Sequence, residues 1–185
     1  MVGGTVVVSL AVAMAATLLV LGQVADGPGG AVLADETCER FDLASYEDLF
    51  GTAPDPDETA ADGYSGTGTG NLTCTWRHSG ADGAGIAVDA WASAESADQF
   101  WLDEKSWWTS HAGSVTDFPD AGESGFHYVQ GGEDEPQKRQ IMFVLGRFTV
   151  SVFCWIDPAA QSTGDADAFL EDLAEQADAI VADAA

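Results

Sequence analysis

The first 25 residues, Met1 to Ala25, contain no charged side chain. Within them, Thr5 to Gly22 is an apolar run whose only polar side chains are Thr5, Ser9 and Thr17. An α-helix rises about 1.5 Å per residue, so a helix of roughly 20 residues built around this run would cross a bilayer core of about 30 Å. The sequence therefore predicts an N-terminal apolar helix, with residues 1–25 acting as a transmembrane anchor.

A cleavable signal peptide is the competing interpretation of this leader. Signal peptides have a basic start, an apolar stretch of about 7–15 residues and a small-x-small cleavage site. This leader has no basic side chain and a longer apolar run, and cleavage after Ala25 or Ala34 would fit. Its first cysteine is Cys38, so a lipid-modified cysteine directly after the run is excluded. We expect a cell-membrane protein with its domain outside, or a secreted one if the leader is cleaved.

All charged residues follow the leader, with 31 Asp and Glu against 6 Lys and Arg and a formal net charge of −25. Nucleic acid is excluded as a partner because binding it requires basic contacts to phosphate. The same charge argues against docking on anionic lipid, so we expect membrane contact through residues 1–25 only. The segment 26–36 is rich in Gly, Ala and Asp and is predicted to be a flexible linker. An extracytoplasmic domain is then predicted at 37–185.

Short helix and strand patterns alternate along this domain, with a long loop predicted between Thr52 and Gly70. The two-residue link Gly146-Arg147 predicts a type II′ hairpin. The order α-β-β-α-β-β-β-α predicts an α+β fold, in which an antiparallel sheet of about five strands has helices packed against it. The predicted helices are Leu43–Phe50, Ala94–Ser110 and Asp165–Asp183, and the predicted strands are Leu72–His78, Ile86–Trp91, Phe126–Gln130, Arg139–Leu145 and Phe148–Ile156.

Three cysteines, Cys38, Cys74 and Cys154, allow three pairings in an exported chain. Cys154 shares two-residue spacing with Val150 and Val152, which places it on the apolar face of a strand. A cysteine in that position usually behaves as a small buried hydrophobic residue. We therefore expect a Cys38–Cys74 disulfide with Cys154 left as a thiol.

Several motifs coincide along this domain: Cys38 followed by a short Leu-acid-Leu-Gly helix, the strand motif Cys74-Thr-Trp76, and a glycine-rich acidic turn between Phe118 and Phe126 that leads into a hairpin. This pattern resembles the actinobacterial secreted lipoproteins grouped as domain of unknown function 3558. The resemblance covers roughly residues 37–181 and implies a cell-envelope location and an α+β fold. It implies no established reaction, and the lipid-attachment cysteine typical of the group is absent here.

No motif in the sequence predicts catalysis or a cofactor. Ser124 lies in Gly122-Glu-Ser-Gly125, which is not the Gly-x-Ser-x-Gly of serine hydrolases. His78, His111 and His127 lack the spacing of a zinc site. The acidic clusters at 55–58 and 133–135 do not match calcium-loop spacing, so we expect no specific metal.

Trp107 and Trp108 are adjacent on a predicted helix, about 100° apart, so they cannot both point fully inward. They form the candidate recognition surface. The sequence therefore predicts a non-enzymatic binding or accessory domain of the cell envelope, which contacts a protein, a cell-wall component or a small apolar ligand. Two alternatives stay open, namely an extracytoplasmic hydrolase that uses Ser124 with a histidine, and a structural envelope protein without a ligand.

Overall fold

The computed structural model describes residues 33–63, 69–78, 83–112 and 114–183. The predicted leader lies outside these residues, and within them no helix is long and apolar enough to cross a membrane. A 3₁₀ helix, Asp35–Arg40, precedes helices α1 (Ala44–Phe50), α2 (Ala94–His111) and α3 (Thr163–Ala182). The strands are β1 (Ala60–Gly63), β2 (Gly70–Arg77), β3 (Gly83–Ala90), β4 (Ser114–Asp117), β5 (Ser124–Gln130), β6 (Gln137–Leu145) and β7 (Phe148–Ile156).

The strands form one antiparallel sheet in the order β1-β2-β3-β7-β6-β5-β4. This confirms the α+β class, but the sheet has seven strands rather than about five. The two additional strands, β1 and β4, are the four-residue edges of the sheet. Their sequences lack apolar alternation, because an edge strand is held mainly by pairing with its neighbour. The predicted loop from Thr52 to Gly70 therefore contains a strand, and residues 64–68 lie outside the described part.

One face of the sheet, the core face, lies beneath α1 and α3. Two-residue spacing directs Leu72, Cys74 and Trp76 of β2 into this core. The apolar residues of helix α3 recur at helical spacing, and this pattern predicts an inward stripe of Phe169, Leu173, Ala177, Ile180 and Ala184. The first four are buried in the core, which confirms the stripe, and Ala184 lies outside the described residues.

The second face of the sheet is covered by α2 over β4, β5 and β6. Ser93 begins this helix, and the backbone N–H of Ser96 donates to its Oγ at 3.2 Å. A second hydrophobic cluster fills this contact and includes Ala97, Trp101, Phe126, Tyr128, Met142 and Val144. Beyond α2, the side chains of β2 and β7 on this face are half-buried or exposed. We call this uncovered surface the open face, and its residues are Thr73, Thr75, Arg77, Gly83, Gly85, Ala87, Asp89, Lys138, Ser151, Phe153 and Trp155.

The predicted Cys38–Cys74 disulfide is present and joins the 3₁₀ helix to β2. Cys154 is a buried thiol, as expected. The packed structure includes residues 33–36, which the sequence assigned to the linker, since Leu33 is 4% exposed and the 3₁₀ helix begins at Asp35. Composition alone does not distinguish the buried Leu33 from the small residues around it, so the whole segment resembles a linker.

The hairpin between β6 and β7 has the predicted geometry. Gly146 has a φ of +54°, while no described non-glycine residue, Arg147 included, has a positive φ. A positive φ at the first of two turn positions is the pattern of type II′. The turn therefore sets the register that brings the central strand β7 alongside β6.

Candidate functional site

Four residues form a row across the open face. Arg77 on β2 pairs with Gly83 on β3, Gly83 pairs with Trp155 on β7, and Trp155 pairs with Lys138 on β6. Register partners in an antiparallel sheet point to the same side. The row is therefore cation, glycine, tryptophan and cation, and we call it the Trp155 row.

Aromatic side chains occupy the middle of this surface on the central strand. The side chain of Trp155 is 44% exposed, and Phe153 lies two residues earlier on the same face. A Cβ atom on Gly85 would lie 2.6 Å from Cζ of Phe153, so the Phe153 ring lies directly on this glycine. The Nζ atom of Lys138 is 5.0 Å from the Phe153 ring centroid and 5.5 Å from that of Trp155. These distances fit cation–π contacts on both rings.

The two cations of the row differ in their partners from the three cations that form ion pairs, and Arg147, outside the row, donates to the Trp91 carbonyl oxygen at 3.4 Å. Arg40, Lys105 and Arg139 pair with the carboxylates of Asp183, Asp117 and Asp167. Within the described ranges, no carboxylate oxygen lies within 4 Å of the charged group of Arg77 or of Lys138. A Cβ on Gly83 would lie 3.0 Å from Cγ of Arg77, so the Arg77 side chain lies against the glycine that pairs with Trp155.

The electrostatics of Lys138 reflect its position beside α2. Burial lowers the pKa of Lys138, and the Glu104 carboxylate on α2 opposes that shift. The Oε2 atom of Glu104 accepts a hydrogen bond from the indole N–H of Trp108 at 3.0 Å. Glu104 is therefore held by α2 close enough to act on Lys138 but outside ion-pair distance.

The rest of the open face is polar and hydroxyl-bearing. Thr73, Thr75 and Ser151 are half-buried side chains on it, and Asp89 stands near its far end. Burial raises the pKa of Asp89. The open face thus combines one aromatic and cationic end with one polar and acidic end.

The predicted recognition residues, Trp107 and Trp108, lie near the end of α2 and point in different directions. Trp107 is 50% exposed and stacks on His111 with ring centroids 4.3 Å apart. Trp108 is half-buried and stacks on Tyr128 at 4.0 Å. The role of this pair in recognition stays a prediction.

Ser124 is not hydrogen-bonded to a histidine anywhere in the described residues. It is exposed at the first position of β5, and His127, three positions later, points to the other face. The Nδ1 atom of His78 is 2.8 Å from the hydroxyl of Tyr46, and that of His111 is 2.7 Å from the carbonyl oxygen of Trp107. The described residues also contain no group of three His, Cys, Asp or Glu side chains that could hold a metal ion.

A buried polar cluster beneath α3 escaped the sequence analysis. Arg139 is 8% exposed, and its guanidinium binds both carboxylate oxygens of Asp167 at 2.6 Å and the Gln137 amide oxygen at 2.8 Å. The Nε2 atom of His127 is 3.5 Å from Oδ1 of Asp167 but is not aligned for a hydrogen bond. The signal in the sequence that could have revealed this cluster is the pair of polar residues, Gln137 and Arg139, at alternate positions of β6, whose last five residues are apolar. This cluster connects the sheet to α3, with Arg139 buried and the Asp167 side chain 37% exposed.

A separate groove of about 620 Å³ lies beside the disulfide. Its lining includes the apolar residues Phe41, Pro54 and Trp76 and the acidic residues Glu36 and Glu39. Among the described residues, no Lys or Arg lines this groove. Its chemistry is therefore the opposite of that at the Trp155 row.

No protein-family model matches the sequence, so the resemblance to domain of unknown function 3558 stays a prediction. No curated protein is similar to it in sequence. The fold is similar to that of the extracellular domain of PknH from Mycobacterium tuberculosis, with a TM-score of 0.52 and 15% identity over 80% of this chain and 98% of that one. This likeness shows the fold, and the disulfide is typical of proteins that fold in an oxidising, extracytoplasmic compartment.

Proposed function

We propose that the chain is an extracytoplasmic ligand-binding domain of an actinobacterial cell envelope, held at the membrane by residues 1–25, and that its open face is the binding surface. The observation that carries the proposal is the exposure of Trp155 on the central strand, beside Phe153 and Lys138. Large exposed apolar side chains are informative because water-facing strand positions are normally polar. The shared fold with a mycobacterial extracellular domain supports the envelope location.

Binding is favoured over catalysis by the arrangement of the candidate groups. A serine hydrolase needs its nucleophile within hydrogen-bond reach of a base. Among the described residues, His78 contacts Tyr46, His111 contacts the Trp107 carbonyl oxygen and His127 lies beside Asp167, so the partner of each histidine is a residue other than Ser124. A purely structural protein would have no reason to keep an aromatic pair uncovered in mid-sheet. We therefore assign the open face to ligand recognition.

The test compares two exposed tryptophans in the full-length protein. Polar and organic extracts of actinobacterial envelopes are added, and the melting temperature and tryptophan fluorescence are measured for the wild type, Trp155→Ala and Trp107→Ala. The two side chains are similarly exposed, at 44% and 50%, so either substitution removes a comparable surface ring. We expect an extract-induced rise in melting temperature in the wild type and Trp107→Ala, and its loss in Trp155→Ala.

Other outcomes would contradict this proposal in different ways. Loss of the response only in Trp107→Ala would place recognition at the end of α2, as the sequence predicts for Trp107 and Trp108. The same response in all three proteins would remove both tryptophans from the binding surface.

A further inference from the structure

Positive charge is scarce in this chain. It has 31 acidic and 6 basic residues, so carboxylates are available to pair with almost any cation. Arg40, Lys105 and Arg139 form such pairs, and Arg147 donates to the Trp91 carbonyl oxygen at 3.4 Å. Arg77 and Lys138 have no carboxylate within 4 Å among the residues that the structure describes, and both belong to the Trp155 row.

The strand register places both cations on the same face of the sheet, at the two ends of one row. Neighbouring strands are about 4.8 Å apart, so Arg77 and Lys138, three strand steps from each other, have Cα atoms about 14 Å apart. Trp155 and Gly83 lie between them. The Arg77 side chain lies against Gly83, and Nζ of Lys138 is 5.5 Å from the Trp155 ring. A Cβ atom on Gly83 would lie 2.5 Å from the Trp76 carbonyl oxygen and 3.0 Å from Cγ of Arg77, so the glycine lets the Arg77 side chain pack across β3 towards Trp155.

From this arrangement we infer that the Trp155 row binds a soluble small molecule that carries one phosphate or carboxylate group on a planar or apolar body. The inference rests on the proposed function of the open face and names the ligand class. A guanidinium binds such an anion through two parallel hydrogen bonds, and the Lys138 ammonium supplies a second charge. The indole of Trp155 provides the stacking surface for the body of the ligand.

The net charge of −25 limits this ligand to a compact anion but does not exclude it. At physiological ionic strength the Debye length is about 8 Å, so carboxylates farther away are largely screened, while each cation acts directly on an anion bound next to it. A polyanion or an anionic membrane would extend over the acidic surface around the row and meet repulsion.

The test uses phenyl phosphate with the full-length chain held in zwitterionic lipid nanodiscs. Binding is followed by tryptophan fluorescence for the wild type, Arg77→Ala, Lys138→Met and Arg40→Ala. Lys138→Met keeps the apolar stem over the rings and removes the charge. Arg40→Ala is the matched control, because Arg40 is an exposed cation paired with Asp183 and its loss changes the net charge equally.

We expect saturable binding of phenyl phosphate that weakens about tenfold or more in Arg77→Ala and Lys138→Met, and less than about twofold in Arg40→Ala. Inorganic phosphate, which lacks the stacking body, and phenyl glucoside, which lacks the anion, should each bind more weakly than phenyl phosphate. Vesicles that contain phosphatidylglycerol should not compete.

Three results would overturn the inference: no saturable binding of phenyl phosphate, equal affinity in the wild type and in both row variants, or competition by the anionic vesicles. A circular dichroism melt of each variant separates loss of binding from loss of folding. If an envelope extract still stabilises the wild type but not Trp155→Ala while phenyl phosphate does not bind, the open face remains a binding surface and only the ligand class is wrong.

Discussion

Cys154 shows how strongly the fold controls the chemistry of one side chain. Its thiol is fully buried on the core face of β7, and burial raises its pKa to about 12. The thiolate is the reactive form, so at pH 8 this group should be both protonated and inaccessible. We expect no reaction with an aromatic disulfide reagent in the native protein and one thiol per chain after unfolding in guanidinium. A fast native reaction, or three thiols after unfolding, would contradict the burial or the disulfide.

His127 gives the domain a defined dependence on pH. Burial lowers the pKa of His127, and Arg139 adds to this shift while Asp167 opposes it. The unfolded chain, with a histidine pKa near 6.5, then binds the proton more tightly than the folded chain. The stability linked to neutral His127 is therefore fully present above about pH 6.5 and is lost as the pH falls through that value towards the lower folded pKa.

Urea unfolding of the wild type and of His127→Gln between pH 8 and pH 5 measures this effect. We expect the free energy of unfolding of the wild type to fall more steeply below pH 6.5 than that of the variant. His111→Gln is the control, because His111 is exposed at the end of α2. Parallel pH profiles for the wild type and His127→Gln would show that this imidazole is not the titrating group.

Two of the turn glycines with positive φ lie in different surroundings. Gly146 has a φ of +54° and open space where a Cβ would lie, whereas Gly122 has a φ of +63° and a Cβ there would overlap the Val144 carbonyl oxygen. Gly146→Ala should therefore cost about 1–2 kcal/mol of unfolding free energy, from backbone strain alone. Gly122→Ala should cost more, since the backbone must also move. Chemical denaturation of both variants checks this order, and equal costs would contradict it.

The elements that could be predicted from the sequence are those with a complete local pattern. Helix α2 has a capping serine and a stripe of Ala97, Trp101 and Trp108, and the β6–β7 hairpin has its Gly-x turn. The two edge strands could not be predicted, because their conformation comes from pairing across the sheet rather than from their own residues. The residue patterns within single strands also do not specify the order of the strands, so they do not show that β7 is the central strand of the sheet.

The Trp155 row could not be predicted for the same physical reason. Arg77, Gly83, Trp155 and Lys138 lie far apart in the chain and become neighbours only through strand register. The local signal at Trp155 is a tryptophan at a position of an alternating strand where Thr149 and Ser151 are polar, and a large aromatic side chain at such a position is equally consistent with a core residue. Trp107 and Trp108 were singled out because their adjacency on one helix is visible without knowing the sheet.

The disulfide connects the N-terminal 3₁₀ helix to the sheet across a sequence separation of 36 residues. Closing a loop of this length restricts the unfolded chain and should contribute about 4 kcal/mol. Cys38→Ala should therefore lower the free energy of unfolding by several kcal/mol, while the wild type under reducing conditions should show a similar loss. Cys154→Ala should cost only what its buried side chain contributes and should respond to reductant like the wild type. Insensitivity of the wild type to reductant would contradict a stabilising role for the bond.

The whole molecule carries a net charge of −25, and this self-repulsion should set how its stability responds to salt. The structure contains three Lys or Arg ion pairs with carboxylates among its described residues, so screening weakens few attractions and relieves many repulsions. We expect the melting temperature to rise by about 3–6 °C between 0.05 M and 0.5 M NaCl. KCl at the same ionic strength should act equally, because screening does not depend on the identity of the cation. A saturable rise with micromolar calcium would instead indicate a specific cation site, and a fall in melting temperature with salt would show that attractive pairs dominate the surface.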